Sequence, residues 1–168
     1  MAELWDVYDR YGNKLEGFHE RGKPLAEGKY HLVVQILSVN NDGRILISKR
    51  HPDKKFGGMW EITGGSAVMG ETGAEAAARE LLEETGLEAM PSELEYYGSL
   101  IGSGEGRNTI YKFYLYNGDF GMRQLKPQEG ETVGFRLCTP DEIKEMTDKG
   151  EFLDFVYYRI KAMFSEWI

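Results

Sequence analysis

Apolar and polar positions alternate in short runs through the first third of the chain, then switch to a helical period. Leu4 to Tyr8 and Lys14 to His19 flank the polar stretch Asp9-Arg10-Tyr11-Gly12-Asn13, a pattern that predicts a β-hairpin. Glu20 to Gly28 is polar and contains Pro24, so it reads as a connector. Tyr30 to Val39 and Arg44 to Lys49 are apolar runs rich in β-branched residues, and Asn40-Asn41-Asp42-Gly43 between them is a turn signal. His51 to Gly58 reads as a loop, and Trp60 to Thr63 as a short strand ending at Gly64-Gly65.

From Thr72 to Thr85 the apolar positions Ala74, Ala77, Ala78, Leu81 and Leu82 recur at helical spacing. Thr72 is placed to cap this helix and Gly86 to end it. Leu94 to Ile101 and Thr109 to Tyr116 read as paired strands, joined by a mobile-looking tip at Gly102 to Asn108. Val133 to Cys138 is a further strand. A short helix over Pro140 to Met146 follows a Thr139 cap, and Phe152 to Trp167 reads as a last, aromatic-rich amphipathic helix. The sum is one mixed α/β domain over 1–168, with hairpin and connector in 1–28 and a core in 29–168. Its sheet is expected to be mixed or mostly antiparallel.

A chain of 168 residues with 41% apolar content buries enough surface to fold without staples. The single cysteine, Cys138, forms no internal disulfide and reads as a small strand hydrophobe. The N-terminus lacks a basic start followed by an apolar run, and no stretch approaches the length of a membrane span, so a cytoplasmic location is expected. The formal charge of 20 − 28 = −8 argues against binding a nucleic-acid polymer, whose affinity rests on basic surface. The acid is also concentrated: Glu71 to Glu95 holds eight glutamates and one basic residue, Arg79.

Within that stretch, Glu80, Glu83 and Glu84 are spaced to project from one helix face. Two readings stand at this level. Three like charges accommodate a hard cation such as Mg²⁺, which takes oxygen ligands, or they form a solvated acidic face. Arg79 is placed to hold a carboxylate, and the Gly64-Gly65 turn allows a backbone carbonyl to approach an ion.

Gly65 to Leu87, GSAVMGETGAEAAARELLEETGL, resembles the Nudix box G-x5-E-x7-R-E-U-x-E-E-x-G-U, where U is aliphatic. Gly65, Glu71, Arg79, Glu80, Leu81, Glu83, Glu84, Gly86 and Leu87 fill every specified position. The resemblance implies a Nudix fold, a mixed β-sheet sandwiched between helices with the box as loop–helix–loop. It implies a hydrolase of nucleoside diphosphate derivatives or related organic diphosphates, with Mg²⁺ or Mn²⁺ as cofactor. By the same resemblance Glu80, Glu83, Glu84 and the Gly65 carbonyl are the metal ligands. Arg79 orients a glutamate, Glu71 holds the box loop, and a glutamate before the Val133 strand, Glu131 rather than Glu129, serves as ligand or general base.

The segments W-D-V-Y-D, H-E-R-G-K-P-L, Y-H-L-V-V and G-M-W-E-I-T-G-G resemble Nudix proteins nearest to isopentenyl-diphosphate isomerase. The isomerases carry Cys before and His after the box glycine, where this chain has Gly64 and Ser66, so hydrolysis is the favoured reaction. His31, where an isomerase metal histidine would sit, is expected to be a hydrogen-bonded, partly buried side chain. Lys49 and Arg50 are candidates to meet a substrate phosphate. A non-catalytic ligand-binding Nudix module is the rival class, although such modules commonly lose box glutamates. The loops His51 to Gly58 and Gly102 to Asn108 are expected to set specificity. The expected partner is a small-molecule diphosphate, with no membrane or nucleic-acid polymer involved and the chain a monomer or homodimer.

Overall fold

The computed structural model describes residues 2–102 and 108–168. Residues 103–107 of the tip singled out above lie outside the described residues. Among the described residues nine strands and three α-helices follow in the order β1 (Leu4–Tyr8), β2 (Lys14–Glu20), β3 (His31–Asn40), β4 (Ile45–Arg50), β5 (Trp60–Glu61), β6 (Thr63–Ser66), α1 (Gly73–Thr85), β7 (Leu94–Gly102), β8 (Thr109–Gly118), β9 (Thr132–Cys138), α2 (Pro140–Asp148) and α3 (Asp154–Met163). β1 and β2 form a separate hairpin, and the other seven strands form one mixed sheet. Strands β3 and β8 run parallel in a register that opens at His31↔Thr109 and closes at Asn40↔Gly118, while the remaining pairings are antiparallel.

Period-two alternation assigns the two faces of the sheet. Leu32, Val34, Ile36 and Leu46 pack under Ala76, Ala77 and Leu81 of α1. Leu37, Val39, Ile45 and Ile47 pack against Ile143 of α2 and Val156 and Ile160 of α3. Helices therefore cover both faces, as the sandwich expectation required. Among the described residues no helix is long and apolar enough to cross a membrane.

One topological feature creates the site. β3 and β4 pair only at Val39↔Ile45, next to their turn, and then diverge. The segment 60–66 fills the opening between them. Its first half pairs with β4 (Ser48↔Glu61, Lys49↔Trp60), and its second half pairs with β3 (Val34↔Gly65, Gln35↔Gly64). The single strand expected over Trp60 to Thr63 is thus two strands, because the segment changes partner at Ile62 and then runs through both glycines to Ser66. The last helix is also shorter than its apolar pattern implied. It begins at Asp154 because Phe152 and Leu153 are held as an extended segment against Trp60, with Leu153 N–H donating to Trp60 O at 2.9 Å.

The β1–β2 hairpin is docked onto the box loop. The Gly70 amide donates to Asp6 Oδ2 at 2.9 Å, Lys14 Nζ lies 2.7 Å from the same oxygen, and the Met69 amide donates to Leu4 O at 2.8 Å. Burial acts to raise the Asp6 pKa, but Lys14 and the Gly70 amide outweigh it, and the carboxyl sits below its ordinary value. Replacing Asp6 with Ala strands the Gly70 amide, and the expected cost is about 1–3 kcal/mol. A denaturant titration near neutral pH should show it. Because the Asp6 pKa is depressed on folding, the wild type's advantage should shrink as pH falls through the carboxylate range, below about the 3.8 of an ordinary Asp.

Candidate active site

Helix α1 carries the box carboxylates, and its ends are fixed by local chemistry. Thr72 Oγ1 accepts from the Glu75 amide at 3.3 Å while Glu75 Oε2 accepts from the Thr72 amide at 2.8 Å, a reciprocal cap. Gly86 ends the helix at φ 76°, where its amide donates to Leu82 O at 2.8 Å.

Arg79 organises what lies on the exposed side of α1. Its Nε donates to Glu71 Oε1 at 2.7 Å and its Nη1 to Glu80 at 2.8 Å and Glu83 at 3.0 Å. Its Nη2 donates to Ser66 O and Glu71 Oε2, both at 3.0 Å. Glu71 in turn accepts from the Val68 amide at 3.0 Å. One guanidinium thus binds the box loop, the β6 backbone and two helix carboxylates together. Burial acts to raise the Glu71 pKa, but Arg79 and the Val68 amide outweigh it and the carboxyl stays below its ordinary value. The Arg79 guanidinium is held more firmly charged still, by Glu71 first and Glu80 next.

At Glu80 and Glu84 the balance goes the other way. Burial pushes Glu80 upward against the pull of Arg79, with Glu83 and Glu3 adding to the rise. Glu84 accepts from the Gly64 amide at 3.2 Å and is pushed well above the ordinary range by burial, then by the charges of Glu61 and Glu80. Gly65 faces Glu80 so closely that a Cβ there would lie 2.2 Å from its carboxyl and would displace that side chain.

Glu61 belongs to the same group and was not singled out from the sequence. On β5 it forms an ion pair with Arg50, and burial raises its pKa despite that partner. Strand alternation places Glu61 on the α1 side, since its neighbour Trp60 packs into the opposite layer. The readable signal was a lone acid four residues before the box glycine, in a segment flanked by apolar residues.

The other candidates divide. Arg50 reaches the cluster but is already engaged by Glu61 and by Lys55 O at 2.9 Å. Lys49 is not brought to it: its ammonium lies 5.7 Å from the centre of the Trp60 ring, on the α2–α3 side. Glu131 sits beside the 51–58 loop, where its carboxylate pairs with Lys54 and its carbonyl accepts from the His51 amide at 2.8 Å. Among the described residues, Glu129 is not tied to the cluster by any hydrogen bond or ion pair. His31 is buried, stacked on Trp5 with ring centroids 4.5 Å apart, and its Nδ1 lies 3.1 Å from Asn108 O, so it is a hydrogen-bonded histidine as expected. Cys138 is buried in the core.

A match to the NUDIX domain family covers residues 29–156, which includes every box position. The chain belongs to the Nudix hydrolase family. An uncharacterised Nudix hydrolase of Listeria monocytogenes is 30% identical over 97% of this chain and 94% of its own length. Among solved structures, a Deinococcus radiodurans protein superposes with a TM-score of 0.77 at 21% identity, covering 96% of this chain and 99% of that one. A bifunctional NMN adenylyltransferase/ADP ribose pyrophosphatase of Francisella tularensis, solved with AMP and a Mn ion, has a TM-score of 0.65 at 21% identity, covering 83% of this chain and 42% of that one. As a Nudix hydrolase the chain is a pyrophosphohydrolase acting on acid anhydrides.

The raised Glu84 pKa has a testable consequence. The unfolded chain releases this proton near the ordinary 4.5, whereas the folded chain holds it to higher pH. Folding is therefore progressively disfavoured as pH rises above about 4.5. In buffer with a chelator, Glu84→Gln should keep or raise the thermal midpoint at neutral pH and flatten its decline above pH 4.5. A midpoint that falls at neutral pH would show that the Glu84 charge stabilises the fold.

Proposed function

We propose that the chain cleaves a diphosphate linkage in a nucleoside diphosphate derivative or a related organic diphosphate, with Mg²⁺ or Mn²⁺ as cofactor. The observation that carries this reading is the surplus of carboxylate within a complete box. Glu61, Glu71, Glu80, Glu83, Glu84 and Glu131 stand against three cations, Arg50, Lys54 and Arg79. Six minus three leaves a surplus of three carboxylates, and burial raises the pKa of Glu61, Glu80 and Glu84, with like-charged neighbours adding to the rise at Glu80 and Glu84. Hard divalent ions take such all-oxygen donor sets. No three of the described His, Cys, Asp or Glu side chains already converge as a cage. Glu80 and Glu83 are turned toward Arg79, so ion binding requires them to rotate away from it.

Glu80, Glu83 and Glu84, with the Gly65 carbonyl, would hold the ion, which supplies charge neutralisation for the diphosphate and a bound water of lowered pKa. The chain's own residues do the rest. Arg79 keeps the box loop and helix in register through Glu71. Glu131, paired with Lys54 of the 51–58 loop, accepts the water's proton as general base. The Mn ion and AMP in the Francisella enzyme are consistent with this chemistry. The acidic surface supports a small-molecule substrate over a nucleic-acid polymer. We place the protein in the cytoplasm, as a monomer or homodimer.

Double-bond isomerisation finds no support at Gly64. A Cβ there would lie 2.5 Å from Val34 O, so the thiol of an isomerase does not fit this backbone. A panel of nucleoside diphosphate derivatives and organic diphosphates, assayed for phosphate release with Mg²⁺ or Mn²⁺ in ¹⁸O water, tests the reading. Label in a phosphate or phosphomonoester product is expected. Glu84→Gln should lower turnover by at least about 100-fold, the upper range for residues that merely support a metal ligand. Near-normal turnover of that variant at saturating Mg²⁺ contradicts the ligand set. Ligand-induced stabilisation without turnover anywhere in the panel would favour a binding module.

A further inference from the structure

Lys54 is the cation that the box does not explain. It lies in the 51–58 loop, two residues beyond Pro52, and its ammonium pairs with Glu131. Its side chain is 29% exposed, low for a lysine in a loop. Burial acts first against its charge and repulsion from Arg50 next, while Glu84 and Glu61 pull the other way. Lys54 therefore joins the candidate base to the loop that Arg50, the partner of Glu61, holds at the residue next to it.

The loop is built to hold it there. The Lys54 amide donates to His51 O at 3.0 Å and the Gly57 amide to Lys54 O at 2.9 Å. Arg50 and Met59 close the loop's base through an amide–carbonyl bond of 3.0 Å, and Arg50 Nε adds its bond to Lys55 O. Gly57 permits the close return, since a Cβ there would lie 2.1 Å from Pro52 O. Phe56 takes φ 58°, the only positive φ outside glycine among the described residues, and its ring packs 5.4 Å from that of Phe155 on α3. A left-handed bulky residue is costly and persists only where its surroundings over-determine it. This is a fixed presentation of Lys54, not a solvated lysine that happens to lie near an acid.

We propose that Lys54 is a tethered counter-cation that competes with the divalent ion for the charge of this cluster, and so sets how much metal the site requires. The inference rests on the metal assignment proposed above. Two positive charges directed at one carboxylate group oppose each other, and the opposition is reciprocal: ion binding loosens Lys54, and removing Lys54 tightens the ion.

Calorimetric titration of the purified protein with Mn²⁺ and with Mg²⁺ tests this without recourse to activity. Lys54→Met is expected to bind each ion about five- to tenfold more tightly than wild type, within the usual range of coupling between sites. Lys54→Arg, which keeps the charge, should stay within about twofold of wild type by the same reasoning. The gap between Lys54→Met and wild type should narrow as salt is raised. Unchanged or weaker ion binding by Lys54→Met overturns the proposal, since it would make Lys54 a support for the ligands or a contact for the substrate alone. If Lys54→Met does not fold, wild type labelled by reductive ¹³C-methylation of its lysines provides the second readout. The Lys54 resonance, assigned by its absence from Lys54→Arg, should move on addition of Mg²⁺. A Lys54 signal that stays in place while calorimetry records binding overturns the proposal equally. Wild type that binds neither ion would instead remove the metal assignment itself.

Discussion

The five hydrogen bonds of Arg79 are the interaction on which the site depends. They connect three parts of the chain that are separate in sequence: the carbonyl of Ser66 on β6, Glu71 in the box loop, and Glu80 and Glu83 on α1. A planar guanidinium with fixed donors suits this role, whereas a lysine could not reach the same acceptors at once. Without Arg79 the glutamates of one helix face would repel each other with no internal cation among them, and the loop would lose its link to the helix.

A second constraint lies beneath it. β3 and β4 separate after a single pair, and the 60–66 segment lies between them and bonds first to one and then to the other. That exchange of partners brings Glu61, Gly64 and Gly65 side by side beneath α1. Gly64 donates its amide to Glu84, and Gly65 leaves the space that Glu80 occupies. The backbone is thus shaped around carboxylates that gain little from folding by themselves. Burial raises the pKa of Glu80 and Glu84, an arrangement common where a site is organised for a ligand instead of for the fold.

Much of this was legible in the sequence, because helix caps, turn glycines and box spacing are local signals. Thr72 and Gly86 bound α1 where their chemistry indicates, and both layers of the sandwich follow from alternation along β3 and β4. What was hidden depends on long-range partners. Glu61 looks like any polar residue in a short strand until β4 fixes which way it points. The single strand expected at Trp60 divides because its two halves find different neighbours. Lys49 and Arg50 were read as a pair, yet adjacent residues of a strand face opposite sides, and only Arg50 reaches the cluster. Lys54 gave no signal at all, since its orientation comes from a loop whose left-handed Phe56 and close Gly57–Pro52 contact no pattern of hydrophobicity encodes.

The central claim is that the uncompensated charge on α1 is where a divalent ion binds. Anomalous scattering from crystals soaked in Mn²⁺ measures this directly, because it locates the ion without reference to activity. The account predicts an anomalous peak with oxygen ligands from Glu80, Glu83 or Glu84 and the Gly65 carbonyl, with Glu80 or Glu83 rotated away from Arg79. A fully occupied ion elsewhere, with Arg79 still holding both glutamates and no peak beside α1, would contradict it.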